Sequence, residues 1–585
     1  MGFLPVTLAE GKARYGASFT AFDVVFVTGD PYYDHPLSGI ALLSRLLDAK
    51  GYSVGIIAQP ETDDEFLACG PPRYFFCVTT GLLDSMLANY TPMLRKRESV
   101  LVPERGLMVY TQRLKQLHKG CVTVLGGVEA TTRRFTHFDY KDGRLRRGIL
   151  NDTKADLLLF GNAERSILLL LSRMKAAGFA AGQRFDHVKD ALDLASIDGL
   201  AFRIRKGEHQ DGVTPLPSYE RCVKEPRQFN LLVALTYLRP DDAFLEPCGL
   251  GVVRHNRFPH PLDEREMDLI YALPFTRRLH PLSKNYAFNE GMVRSLATSV
   301  ILGRGCWGGC SFCVIPLVQG KNVARRSKES ILREIEQLYV SGEKKIADLT
   351  LPTLNMYGSR CDLYDKPVRV LSPITGAEIT VYDKTVFCNQ ECAGCPHRKL
   401  SDDLIPLLEG VEELNRKHAG TSLELRSALR HDIVLRQKAL FRKVMRFVTR
   451  LKIAPEHISD NVLRQMRKAD KQAFDAFLNE FDLVNNEQGT RKRLVPYFVA
   501  AHPGCSMNEM HELKKYCDER GLFVNLTQVF TPTPGTLSTA MYHTGENPLT
   551  RKPVYVPRAF REKKDQKNLL LGAAKDDEEL VDENG

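Results

Sequence analysis

From residue 21 to about 205 the chain alternates short apolar runs with amphipathic ones. "DVVFVTGD" (23–30) is β-branched and ends in Gly-Asp. "GIALLSRLLDAKGY" (39–52) sets Ile40, Leu43, Leu46 and Leu47 on one helical stripe and is stopped by Gly51. "SVGIIAQ" (53–59) reads as the next strand, and the rhythm returns in "YFFCVTTG" (74–81), "VTVLGGVEA" (122–130) and "ADLLLFGNAERSILLLLSRM" (155–174). Apolar strands that end in glycine and pass into helices predict a parallel, doubly wound sheet, here a Rossmann-like N-terminal domain over 1–205. Its strand ends, Gly29-Asp30, Gly126-Gly127 and Gly161-Asn162, would line a ligand crevice, although such glycines also serve tight turns.

Residues 206–290 are irregular and rich in Pro, Arg and His, and read as a connecting layer. A second alternating region spans 291–550. "SVIL" (299–302) leads into a cysteine loop, and "KESILREIEQLYV" (328–340) follows as an amphipathic helix with Ser327 as N-cap. Strand-like pieces at 345–351, 422–429, 450–456, 493–501 and 523–530 are mostly separated by helical segments. This predicts a full or partial β/α barrel, so the fold class is α/β throughout. A polar, cysteine-rich insertion occupies 361–399. Residues 551–585 end in a charged, acidic stretch expected to be a disordered tail.

At 585 residues the chain is too long for one core. Its +10 net charge is mild over that length, and no Lys/Arg run resembles a nucleic-acid arm. No apolar run approaches the ~20 residues of a membrane helix, no cleavable leader is evident, and Val6 stands where a myristoylation signal wants Ser or Thr. A cytoplasmic location is expected. There, 14 cysteines in tight groups read as metal ligands sooner than as disulfides.

The loop "GRGCWGGCSFC" (303–313) carries Cys306, Cys310 and Cys313 as C-x3-C-x2-C between a strand and an amphipathic helix. Three thiolates can hold three irons of a 4Fe–4S cube and leave the fourth open, while Gly303, Gly305, Gly308 and Gly309 let the backbone wrap closely. Zinc would want a fourth ligand, and none sits close in sequence; unrelated buried cysteines are the bland alternative.

"CWGGCSFC" resembles the signature of the radical SAM superfamily, with Phe312 at its aromatic place. "VLGGVEATTRR", "KADLLLFGNAER", "RRSKESILREIE", "LKIAPEH", "YFVAAHPG" and "MYHTGENPL" further resemble the YgiQ-type radical SAM proteins in order and spacing, from about residue 23 to 550. The resemblance implies an enzyme whose 4Fe–4S cluster binds S-adenosylmethionine (SAM) at the open iron. Reductive cleavage there gives methionine and a 5′-deoxyadenosyl radical. It implies Cys306, Cys310 and Cys313 as cluster ligands and Phe312, Asp348, Arg430 and Glu456 as cofactor contacts. Asp432, His457 and His502 lie at predicted strand ends beside these. An electron donor such as flavodoxin or ferredoxin is implied, with a substrate left unnamed.

One departure bears on SAM. Where the family has two glycines after the second barrel strand, "DLTLPTLNMY" (348–357) has Thr350 and Leu351, whose side chains would crowd a backbone contact to the cofactor. A second C-x3-C-x2-C, "FCNQECAGCPH", holds Cys388, Cys392 and Cys395, with Cys361 upstream. It lacks the aromatic residue and has too little chain after it for a barrel. It reads as a second cluster or a zinc site that staples the insertion, with incidental cysteines as the alternative. The N-terminal sheet resembles a cobalamin-binding domain. Its Asp-x-His-x-x-Gly pattern is not met, because "YDHPLSG" puts Asp34 directly before His35, so cobalamin and an empty sheet that shapes the substrate site both stand. Methyl or methylthio transfer is one expected subtype. An RNA methylthiotransferase would show an N-terminal cysteine triplet and a basic C-terminal module, and neither is apparent. A non-catalytic iron–sulfur protein, redox or scaffold, is the contrasting reading.

Overall fold

The strand Val24–Thr28 is buried along its whole length and pairs in parallel with Val54–Ala58 on one side and Phe75–Thr79 on the other. Continuous β-branched and aromatic runs of this kind suit a sheet covered on both faces. In the computed structural model, which describes residues 2–571 apart from 99, 181, 184, 206–211, 250, 285–292, 294 and 295, this sheet has nine strands. Thr123–Leu125 and Leu157–Leu159 continue the parallel series. Leu200–Ile204 then joins antiparallel, followed by Gly251–His255, Phe244–Cys248 and Thr214–Pro215.

Side chains alternate between the two faces, as a pleat requires. Val25, Val27, Phe76 and Val78 fill one core with Phe22, Leu107 and Leu114. Val24, Phe26, Phe75 and Cys77 fill a second, which also takes in Ile301 and Ala324 from beyond the sheet.

Three strands of the sheet lie within 214–255, so this part of the expected connecting layer is instead sheet edge. The strands are short, and Pro247 interrupts the apolar alternation in one of them, which hides the period. The parts of that stretch at 206–211, 250 and 285–290 lie outside the described residues.

The second region is an open β/α barrel. Ser299–Ile301 pairs in parallel with Asp348–Thr350, and the preceding Lys345–Ile346 pairs with Ser422–Leu423. Leu429 bridges to Ile453. Arg450–Glu456, Arg493–Ala500 and Leu526–Val529 then run side by side, all parallel. Counting Lys345–Thr350 as one interrupted strand, the arc has six strands around one large apolar core. The insertion leaves it as a hairpin, Tyr364–Leu371 with Glu378–Lys384, which is pinned to the N-terminal half by Asp383 against Arg257 (2.5 Å) and His260 (2.8 Å).

The expected disordered tail is corrected over its first part. Phe560–Leu571 is a helix that buries Lys563, Gln566 and Leu570. Its polar residues find partners: Gln566 accepts from the Ala501 N–H (2.7 Å) and donates to the Cys505 carbonyl (3.1 Å), while Lys563 reaches the hydroxyls of Tyr140 and Tyr542. Residues 572–585 lie outside the described part. Among the described residues no helix is long and apolar enough to cross a membrane.

Candidate functional site

The first cysteine loop leaves the strand Ser299–Ile301 at the C-terminal end of the barrel arc, where such folds build their sites. It can turn there because two glycines accept what other residues would not. Gly305 has φ +92°, and a Cβ on it would stand 2.2 Å from the Asn322 carbonyl oxygen. A Cβ on Gly308 would stand 2.7 Å from Arg430 Nη1 and 3.3 Å from Cys306 Sγ. The Trp307 side chain is fully buried, and its indole N–H donates to Ser359 Oγ at 2.7 Å.

Cys306 is buried, while Cys310 and Cys313 are half-buried. Burial pushes the Cys306 thiol up, and Cys310 adds to this. Burial pushes Cys313 up to about 12, with Cys310 and Cys306 again adding. Cys310 thus opposes the ionisation of both neighbours, and a metal bound between the three sulfurs would relieve that opposition. Donors are already directed at them. The Gly308 N–H points to Cys306 Sγ (3.4 Å), and Arg430 Nη1 lies 3.7 Å from Cys310 Sγ and 3.0 Å from the Gly308 carbonyl oxygen. The donor set fits a three-thiolate iron–sulfur cube. Among the described residues no three His, Cys, Asp or Glu side chains converge tightly enough for one metal ion. A cube spreads its thiolates wider than a single ion does.

Arg430 is 6% exposed and held on every side. Its guanidinium makes a two-pronged contact with Asp432 (2.9 and 2.8 Å), and its backbone exchanges hydrogen bonds with the Asn355 side chain (3.0 and 3.1 Å). Glu456, the last residue of its strand, has φ +70° where a non-glycine residue is strained. One of its oxygens is 3.7 Å from Lys468 Nζ. The other is buried with no hydrogen-bond partner, and burial pushes the carboxyl up to about 6. Both Arg430 and Cys313 lie within electrostatic reach of it. Phe312 packs edge-on against His502 (5.9 Å between ring centres).

Asp348, His457 and His502 each have polar atoms engaged within the chain. Asp348 turns to the neighbouring strand: its carboxylate accepts from the N–H groups of Arg426 (2.8 Å) and Ser427 (3.1 Å) and from the Ser427 hydroxyl (2.6 Å). His457 and His502 are buried and spent on Ser459 (3.0 Å) and on Pro503 and Ser538 (2.8 and 2.7 Å). Thr350 and Leu351 line a cavity of about 400 Å³ between the sheet and the barrel. Its other walls include the sheet strand ends at Asp30, Gly81, Gly126, Gly127 and Gly161. Among the described residues no histidine lines it; His35 is fully buried, against Arg277. Sequence reasoning missed Asn355, although it lies in the quoted "PTLNMY", because only the replaced glycines of that run were weighed.

The second cysteine group sits in the insertion. Cys361 pairs across strands with Arg398, whose Nη2 lies 3.6 Å from Cys392 Sγ. Cys388 takes a hydrogen bond from Lys384 (2.7 Å), and Cys395 closes a turn on the Cys392 carbonyl (3.3 Å).

Comparisons with known proteins agree with this architecture. Residues 3–295 match the Radical SAM N-terminal family, and 525–584 match a domain of unknown function, DUF3362. A UPF0313 protein of Geobacter sulfurreducens is 36% identical, covering 98% of this chain and 92% of the relative. One of Methanocaldococcus jannaschii is also 36% identical, covering 97% and 92%. Among solved structures the chain resembles the radical SAM methyltransferase TsrM of Kitasatospora setae with cobalamin and a [4Fe-4S] cluster bound. That likeness has a TM-score of 0.51 at 12% identity and covers 94% of this chain and 85% of that one. A second TsrM structure, with tryptophan substrate and a SAM analog, gives a TM-score of 0.50 over 93% and 82%. The chain belongs to the UPF0313 family of YgiQ-type radical SAM proteins.

Proposed function

We propose that the chain binds a 4Fe–4S cluster through Cys306, Cys310 and Cys313 and uses it to cleave S-adenosylmethionine reductively, with methyl transfer as the reaction subtype. The carrying observation is the C-x3-C-x2-C set of Cys306, Cys310 and Cys313 on a glycine-wrapped loop, with Arg430 against Cys310 and an unpartnered Glu456 oxygen nearby. A 4Fe–4S cluster held by Cys306, Cys310 and Cys313 would supply the single electron needed for reductive cleavage of the sulfonium.

The chain's own residues prepare that step. The Gly308 N–H and the Arg430 guanidinium stabilise sulfur-borne negative charge. Asp432 and Asn355 fix Arg430 so that it cannot swing away. Glu456 offers a buried oxygen to a cationic or N–H-bearing group of the bound cofactor.

Methyl transfer is supported by the cavity between strand ends and barrel, and by the likeness to a methyltransferase whose structure holds cobalamin. Among the described residues the lining offers a corrinoid no imidazole.

The test is anaerobic reconstitution followed by reduction with SAM present. Iron–sulfur absorbance, an EPR spectrum that changes on adding SAM, and release of 5′-deoxyadenosine are expected, all lost in Cys306→Ala. Release of S-adenosylhomocysteine alongside would mark methyl transfer. A cluster whose spectrum ignores SAM would sink the enzymatic reading and favour a redox or scaffold protein.

A further inference from the structure

The second cysteine loop sets Cys388, Cys392 and Cys395 close in sequence, and Cys361 lies cross-strand from Arg398, whose guanidinium is partly unpartnered. Arg398 is 3% exposed, yet its Nε and Nη1 have no hydrogen-bond partner; its Nη2 faces Cys392 Sγ (3.6 Å), and its plane lies over the Trp307 ring of the first loop (5.1 Å). Cross-strand neighbours share a face, so Cys361 lies on the face from which Arg398 reaches Cys392. Further cations close around the loop. Lys384 contacts Cys388 (2.7 Å), Lys321 lies over the Tyr237 ring (3.9 Å), Arg467 Nη2 donates to the Asn389 carbonyl (3.1 Å), and Arg436 Nη1 to the Ala393 carbonyl (3.4 Å). The one acid of the loop, Glu391, is already engaged by Arg467 (3.4 Å) and Asn389 (3.0 Å). A buried guanidinium with two unpartnered nitrogens is costly, and Arg398 beside Cys392 calls for negative charge at the thiols.

We infer that Cys361, Cys388, Cys392 and Cys395 hold a second iron–sulfur cluster, docked directly on the loop that carries the first. With four thiolates such a cluster is a net anion, which answers the surrounding cations. Zinc on the same four thiolates would also be a net anion, and metal content separates the two. The two loops touch: a Cβ on Gly309 would stand 3.4 Å from the Gln390 carbonyl oxygen and 3.4 Å from Tyr237 Oη, which itself donates to the Gly309 carbonyl (3.0 Å). This contact suits the passing of one electron, taken from a reduced low-potential flavin or iron–sulfur donor protein and handed on, one for one, to the first centre. That relay rests on the function proposed above; the presence of the second cluster does not.

Anaerobically reconstituted full-length protein should hold about eight irons and eight sulfides per chain. Cys306→Ala/Cys310→Ala/Cys313→Ala should keep about half, with an EPR signal indifferent to SAM. Cys388→Ala/Cys392→Ala/Cys395→Ala should also keep about half, with the SAM response retained. If the insertion variant does not fold, Mössbauer spectra of the unmodified protein decide, since two clusters give two sets of sites. About four irons in the unmodified protein and none in the first triple variant would overturn the inference and leave the proposed function standing. One zinc per chain in the first triple variant would also overturn it. Iron confined to the second group would instead overturn the proposed function.

Discussion

Asp30 lies just beyond the strand Val24–Thr28 and faces the cavity, where its carboxylate accepts from the Leu82 N–H at 2.7 Å. Burial pushes its carboxyl up to about 6. The folded protein therefore binds more protons than the unfolded chain between about pH 4 and 6, and stability falls as pH rises through that window. Glu129, raised to about 7 by burial first and by Asp84 next, has the same sign. Asp30→Asn should remove its share of the fall, a gain of about 1–3 kcal/mol at pH 7 relative to pH 4.5 in urea unfolding. Parallel pH profiles for the two proteins would contradict this. At this scale the cysteine spacing and the glycines around it were legible, since metal ligation needs particular residues at particular intervals. Asn355, Tyr237 and Arg398 were not, because each acts through a partner 72 or more positions away.

Among the elements, the helix Phe560–Leu571 departs furthest from expectation. Its sequence is charged enough to read as a tail. It is ordered by specific hydrogen bonds more than by an apolar stripe. Gln566 satisfies the Ala501 N–H and the Cys505 carbonyl just beyond the strand Arg493–Ala500. Gln566→Leu keeps the volume and leaves both groups without a partner, at a cost of about 2–4 kcal/mol in denaturant unfolding. A loss below about 0.5 kcal/mol would show that water replaces the side chain. The parallel strands of both halves were legible because each is a nearly unbroken apolar run. The sheet-edge strands within 214–255 were not, being short, with proline in two of them.

For the whole molecule, the two halves behave as one body because they share both a core and ion pairs. Ile301 and Ala324 pack with the sheet's helices. Arg304, on the barrel side, pairs with Glu164 at the start of the helix Glu164–Ala176 and donates to Tyr271 Oη at 2.7 Å. Glu164 is buried and the Arg304 side chain only 12% exposed, so Arg304→Met alone should cost about 3–5 kcal/mol, and adding Glu164→Gln should recover most of it. Calorimetry should show one transition in the unmodified protein; additive single costs would refute the coupling. The sequence announced two α/β units by their separate rhythms, but periodicity within a segment says nothing of which segments face each other.

The cavity between these halves is walled partly by the sheet and partly by the barrel. Neither unfolded half offers it any footing, so an occupant works as a keystone: it recognises only the finished arch. Cells that lack the occupant would hold the same polypeptide at a lower melting point, and its abundance would follow the supply of that small molecule as much as the gene's own expression.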